Sequence, residues 1–391
     1  MRAVPNRKHP KYLIHQRAAP FPFWKGRNLL YGLYLHIPYC SSKCRYCDFY
    51  SIGKSSGVPD AYIEALLREI KHFADVLSVD ILRPSTVYFG GGTPSLLSPA
   101  QTERLLSAVE VLPEAEITLE CNPEHAELSH LQGFRAAGVN RISFGVQTAF
   151  DESLARLGRY HTAEQARRAL ATARKAGFCN ISGDVMLALP DYSSEELDAT
   201  LSLLAEGGCT HISSYLLKIE PNTVFGKRPP ENLPDEDASA DFYLSCVERL
   251  AALGYRQYEI SNFAKSAYEG RHNLLYWNCR DYIGVGVSAA GCLSGKRFST
   301  PPGLQSFLNE KAEYVEEGAC TAEDFIMLQL RLVSGLSLSA LQRDWGVTWD
   351  ARRLAFCKKL AQQGLAVFDG EVLRLTSQGF LVQNSILCEL L

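Results

Sequence analysis

From Tyr31 onward the chain alternates between strand-like and helix-like runs. The strand-like runs are YGLYLHI, STVYFGG, ITLECN, RISFGVQ, ISGDVMLAL and HISSYLLKI. The first helix-like stretch carries Tyr62, Ile63, Leu66, Leu67, Ile70 and Phe73 on one face, with Asp60 as its expected N-cap. Others run over about 99–109, 129–137, 163–176 and 194–204, and several end on glycine, as in AAGVN and KAGFCN. Six βα units in succession predict an α/β fold with a parallel sheet. The informative polar residues fall at strand ends: a cysteine loop after the first, Gly90 to Thr93 after the second, Glu120 and Asn122 after the third, and Gln147 after the fourth. Asp184 lies within the fifth. Chemistry gathered at the C-terminal ends of strands favours a partial (β/α)6 barrel, spanning 31–225, over an open sheet.

After Glu220 the pattern breaks. The proline-rich, acidic run EPNTVFGKRPPENLPDEDA reads as a crossover loop, followed by a helix over 238–253. Residues 226–318 are expected to form an α+β segment. Residues 319–391 suggest a small winged-helix-like helical domain, with Asp369-Gly370 as a type I′ hairpin signal. Residues 1–30 hold seven Lys or Arg, no acid and four prolines, and read as a disordered basic tail.

The net charge of −3 gives no electrostatic case for nucleic-acid binding. No apolar run approaches the ~20 residues that cross a bilayer, so membrane contact is expected to be peripheral at most. Twelve cysteines in 391 residues are too few for a disulfide scaffold, which predicts a reducing, cytoplasmic chain. Cys121, Cys179, Cys209 and Cys246 lie in patterned segments where burial is expected.

Three thiols stand apart. HIPYCSSKCRYCDFYS spaces Cys40, Cys44 and Cys47 as C-x3-C-x2-C, and Phe49 occupies the position where a fourth cysteine would continue the pattern. A structural zinc site wants four protein ligands, commonly two C-x2-C pairs. Here there is one such pair and no distant partner. The better account is a cubane [4Fe–4S] cluster with three thiolates on three irons and the fourth iron open. YFGGGTPS could equally be a plain tight turn, and Glu120 a surface acid.

C-x3-C-x2-C after a first strand, with GGGTP after a second, resembles the radical S-adenosylmethionine (SAM) superfamily. That resemblance implies that SAM ligates the open iron and that an electron from the cluster splits its sulfonium. It further implies SAM contacts from Tyr34, Tyr46, Gly91, Gly92, Thr93, Glu120, Gln147, Arg159 and Asp184, with Ala290 near the cofactor. Glycine at 91 and 92 is expected to let the backbone approach SAM. The segments ECNP, LARLGRYH, EPNTVFG, YEISNFAK and HNLLYWNCRDYIGVGVSAAG narrow the resemblance to the branch that unites heme chaperones with the oxygen-independent coproporphyrinogen III oxidases. Oxidase members carry a further cysteine at the position of Phe49, so the chaperone side is the expectation. The oxidase and the class C radical methyltransferases are the alternatives.

The HNxxYW segment supplies the heme candidates His272, Asn273, Tyr276 and Trp277. An imidazole is a usual axial ligand of heme iron, and two aromatics can stack on a macrocycle. A core histidine with both nitrogens satisfied is the competing reading, and Cys279 is a rival axial thiolate. The implied partners are heme, a heme-acceptor protein and an electron donor such as flavodoxin or ferredoxin.

Overall fold

The computed structural model describes residues 30–309 and 314–391, so the basic run, Leu30 apart, lies outside the described residues. Strands β1 (Gly32–Ile37), β2 (Thr86–Gly91), β3 (Glu116–Cys121), β4 (Arg141–Gln147), β5 (Asn180–Leu187) and β6 (His211–Leu216) pair parallel in chain order. Between them run helices α1 (Asp60–Leu77), α2 (Pro99–Ser107), α3 (Leu128–Ala137), α4 (Asp151–Leu157), α5 (Ala163–Lys175) and α6 (Ser194–Glu206). This is the expected βα succession; α4 is an addition. Pro59, not Asp60, occupies the N-cap of α1, and it has no hydroxyl or carboxylate to cap with.

The strands alternate strictly. Leu33, Leu35, Ile37, Val87 and Phe89 face the helices and are at most 1% exposed. The intervening positions, including Tyr34, Thr86, Tyr88, Glu116, Glu120 and Arg141, share the opposite face of the sheet. Side chains alternate across a strand with period two, so a polar residue at every second place builds a polar interior within an otherwise buried sheet.

The sheet extends well past the six units. After α7 (Val224–Lys227) and α8 (Glu236–Ala252) come β7 (Arg256–Glu259) and β8 (Asn262–Ala264); β8 pairs antiparallel with β6, and β7 pairs antiparallel with β8 outside it. Following α9 (Arg271–Trp277), β9 (Tyr282–Val285) pairs parallel with β1 and makes a seventh parallel strand. Strands β10 (Ala290–Leu293), β11 (Lys296–Ser299) and, past α10 (Leu304–Leu308), β12 (Val315–Ala319) continue the same edge antiparallel. The divisions expected at 225/226 and 318/319 fall inside α7 and β12.

A second hydrophobic core forms around Phe325, Leu330, Leu341, Leu360 and Leu373. It gathers α11 (Ala322–Gln329), α12 (Leu338–Trp345), α13 (Ala351–Gln362), α14 (Ser377–Leu381) and α15 (Gln383–Leu390) about the antiparallel strands β13 (Leu336–Ser337), β14 (Ala366–Phe368) and β15 (Val372–Leu375). The β14–β15 hairpin is present, but its last pair is Phe368 with Leu373, so its loop is longer than a two-residue type I′ turn. Asp369 Oδ1 closes it by accepting from the amides of Glu371 and Val372. Cys121, Cys209 and Cys246 are buried, whereas Cys179, in the turn before β5, is exposed. Among the described residues no helix is long and apolar enough to cross a membrane.

Candidate cluster and cofactor site at the barrel mouth

The cysteine loop is laced to its neighbours by backbone hydrogen bonds. Gly92 N donates to Ile37 O and Thr93 N to Tyr39 O, both at 2.8 Å; Cys40 N donates to Ile52 O at 2.9 Å and Ser55 N to Cys40 O at 3.0 Å. These fix Cys40, which is buried, while Cys44 and Cys47 are half-buried. Among the described residues no three His, Cys, Asp or Glu side chains converge as they would on one ion. A cubane does not ask for that, because each thiolate takes a different iron. Desolvation raises the Cys40 thiol and pushes Cys47 up to about 11, so thiolates here require adjacent positive charge of the kind iron supplies.

Arg159 reaches into the same place from beyond α4. Its Nη1 donates to Cys44 Sγ at 3.5 Å, and its Nη2 donates to Gly145 O at 2.7 Å and Asn122 Oδ1 at 2.9 Å. Its Nε is buried without a partner. An unpaired buried guanidinium N–H beside the cysteine loop fits an anionic group that binds there. Asn122 Nδ2 in turn donates to Thr93 Oγ1 at 3.3 Å. His125 ties the loops after three strands together, with Nε2 bonded to Ser41 Oγ at 3.0 Å and Nδ1 to Ser95 Oγ at 3.2 Å.

Glu120 sits at the top of β3. Its carboxylate accepts from Tyr88 Oη at 2.8 Å and from Gly91 N at 3.2 Å. Desolvation pushes its pKa up to about 7, despite the lowering effect of the Tyr88 bond, with Asp184 adding to the rise and Arg141 opposing it. Asp184 is also raised, first by desolvation, and accepts from Ser143 Oγ at 3.4 Å. Two carboxyls on one interior, both biased toward neutrality, suit the capture of a cation or of hydroxyls. Gln147 ends β4 at φ +66°, where the β4–β5 register shifts. A left-handed glutamine at the mouth is a strained backbone held by its surroundings. Tyr34 Oη bonds His36 Nδ1 at 3.0 Å, and Tyr46 is half-buried within the cysteine loop. Ala290 begins β10, beside Gly284 of β9, which pairs with Tyr34 of β1.

The two glycines have a different first reason from the one expected. A Cβ on Gly92 would stand 2.8 Å from both Ile37 O and Tyr39 O, and one on Gly91 would meet the His36 ring. Gly91 also holds φ +111°. Both are required by the close approach of this loop to β1, whatever binds above it.

The HNxxYW helix lies at the opposite end of the barrel. Glu116, at the start of β3, accepts from the amides of Arg271 and His272 at 3.1 and 3.0 Å and so clamps the first turn of α9. His272 is 1% exposed. Its Nδ1 is bonded to Thr86 Oγ1 at 2.7 Å and its Nε2 to Tyr276 Oη at 2.6 Å. Desolvation, aided by the Arg141 charge, holds its pKa down at about 3. In this conformation the imidazole has no free nitrogen for iron. The aromatic faces are engaged as well: the Arg331 guanidinium lies 4.3 Å from the Trp277 ring centroid, and Tyr282 packs edge-on to Tyr276 at 4.4 Å. Asn273 is half-buried, as is Cys279, at φ +49° in the turn after α9. Tyr88 and His125 carry site contacts that motif reading did not assign, and Asn122, expected only as a polar residue after the third strand, bonds Arg159 and Thr93. Position is the signal for His125, just past β3, and for Tyr88 only its place on the same face of β2 as the polar interior.

A parallel βα barrel with three thiols, a buried arginine and a glycine-rich loop at one mouth defines a radical SAM protein. Residues 34–204 match the Radical SAM superfamily model and residues 321–382 the HemN C-terminal domain model. Heme chaperone HemW of Escherichia coli (strain K12) is 38% identical over 369 residues, covering 91% of this chain and 97% of that protein. Heme chaperone HemW of Lactococcus lactis is 34% identical over 368 residues, covering 90% and 95%. The solved coproporphyrinogen III oxidase HemN of Escherichia coli superposes with a TM-score of 0.79 at 24% identity, covering 94% of this chain and 91% of that one, and shares its fold. The chain belongs to the HemW family of the radical SAM superfamily.

Proposed function

We propose that the chain is a heme chaperone that binds heme and passes it to an acceptor protein, with a SAM-ligated [4Fe–4S] cluster at the barrel mouth. The observation that carries the reading is the cysteine loop itself, within a chain of this family. Cys40, Cys44 and Cys47 supply three thiolates, and the next position of the oxidase pattern is Phe49, which is 69% exposed and cannot ligate a metal. When bound, the cluster and SAM supply one-electron chemistry at a sulfonium.

The chain's own residues divide that work. Arg159 offers its unpartnered Nε to a carboxylate and steadies Cys44. Glu120 offers a carboxylate to an ammonium group, and its proton leaves as the cation arrives. Asp184 and Gln147 offer acceptors and donors to the nucleoside part, Tyr46 an aromatic face, and Tyr34, Gly91, Gly92, Thr93 and Ala290 the walls. An electron donor of the flavodoxin or ferredoxin type would reduce the cluster.

For heme, the HNxxYW segment stays the candidate under a stated condition. His272 ligates iron only if Tyr276 leaves Nε2 or Thr86 leaves Nδ1, and the Trp277 face opens only if Arg331 moves. Asn273, next to His272 on α9, is half-buried. Cys279 needs neither displacement and is the alternative ligand. Absorption spectra of the chain titrated with heme, with and without its cluster, test the reading: a saturating Soret shift supports it, and its absence in both states overturns it.

A further inference from the structure

Nine of the twelve cysteines lie outside the cluster motif, and two of them are neighbours in space. Cys292, on β10, and Cys320, one residue past β12, are 28 positions apart, and their sulfurs stand 3.5 Å from each other. The backbone holds them there. Cys292 pairs with Arg297 across β10–β11, and Lys296 pairs with Ala319 across β11–β12. Cys320 N then donates to Gly295 O at 2.6 Å. Cys292 is buried and Cys320 half-buried. Neither takes part in the cluster site.

We propose that Cys292 and Cys320 are a reversible dithiol–disulfide pair that, when oxidised, ties β10, inside the sheet, to the chain entering α11. A disulfide needs sulfurs about 2.05 Å apart, so closing the pair takes a small approach with no change of register. The oxidant is a low-molecular-weight disulfide such as oxidised glutathione. Cys320, the accessible partner, attacks as thiolate, forming a mixed disulfide and releasing one glutathione. Cys292 then attacks the Cys320 sulfur and releases the second. The two cysteines lose two electrons and two protons, and the small disulfide gains both. Reduction by a dithiol reverses each step. The bond has a mechanical consequence. Gln329, at the far end of α11, donates to Trp277 O at 2.9 Å and Asn278 Oδ1 at 3.2 Å, so a pinned α11 restrains the end of α9.

The test uses the full chain with its cluster reconstituted under anaerobic conditions. Oxidised glutathione is added, free thiols are blocked, and non-reduced peptides are mapped by mass. The expected result is a linked Cys292–Cys320 peptide pair, loss of blocking at both thiols together, and reversal by dithiothreitol. Cys292→Ser should leave one glutathione on Cys320, and Cys320→Ser should leave Cys292 unmodified. In the wild-type chain, two thiols that stay blockable, two separate glutathione adducts, or linkage of Cys320 to Cys279 instead would overturn the proposal.

Discussion

Replacing His272 with alanine separates its two roles. The ring bridges Thr86 and Tyr276 through bonds of 2.7 and 2.6 Å and packs 5.2 Å from the Tyr88 centroid. Removing it leaves the Thr86 hydroxyl, 2% exposed, without that partner. An unmet buried group costs roughly 1–3 kcal/mol. Tyr276 is half-buried and can recover part of its bond from water. The cavity left by the ring adds roughly 2 kcal/mol. The sum is about 4 kcal/mol, concentrated on α9. Because the chain has two hydrophobic cores, a single unfolding free energy is a poor readout. Amide hydrogen exchange over 271–278 is the better one: a loss of about 4 kcal/mol accelerates exchange on the order of 1000-fold. Exchange within about threefold of wild type, roughly 0.7 kcal/mol, would refute the bridging role. Loss of the heme spectrum with α9 exchange unchanged would make His272 an iron ligand.

Anaerobically reconstituted protein should carry about four irons and four sulfides, and Cys40→Ala, Cys44→Ala or Cys47→Ala should each remove the cluster, read by iron analysis. SAM affinity should rise about tenfold between pH 6 and pH 8, because a Glu120 carboxyl titrating near 7 must ionise to meet a cation, with Arg141 and Asp184 beside it as the opposing influences; calorimetry should find that component gone in Glu120→Gln. Buried neutral His272, held near 3, contributes stability that is complete above its unfolded value of about 6.5 and is lost as pH falls from there toward 3, so thermal midpoints should drop across that window and drop less in His272→Gln.

Strands β1 to β6 were legible because each carries its own pattern, and the strand-end positions of Glu120, Gln147 and the cysteine loop followed from those patterns and pointed to the barrel. The seventh parallel strand was not, since Tyr282–Val285 pairs with Gly32–Leu35 from across nearly the whole barrel sequence. The setting of His272 was hidden for the same reason: its amide is held by Glu116, 156 positions away. The motif shows an imidazole and two aromatics, but not that Thr86, Tyr282 and Arg331 occupy them. Gly91 and Gly92 were legible as a turn, yet the atoms that exclude their side chains belong to β1. Cys292 and Cys320 are 28 positions apart, and only the β10–β11–β12 meander makes them neighbours.

The central claim is a chaperone in place of an oxidase, and it is tested by giving the reconstituted, reduced chain SAM and coproporphyrinogen III and analysing the porphyrin products. The account predicts that coproporphyrinogen III is recovered unchanged, while the same preparation takes up heme. Formation of protoporphyrinogen that depends on both SAM and the reductant would contradict it.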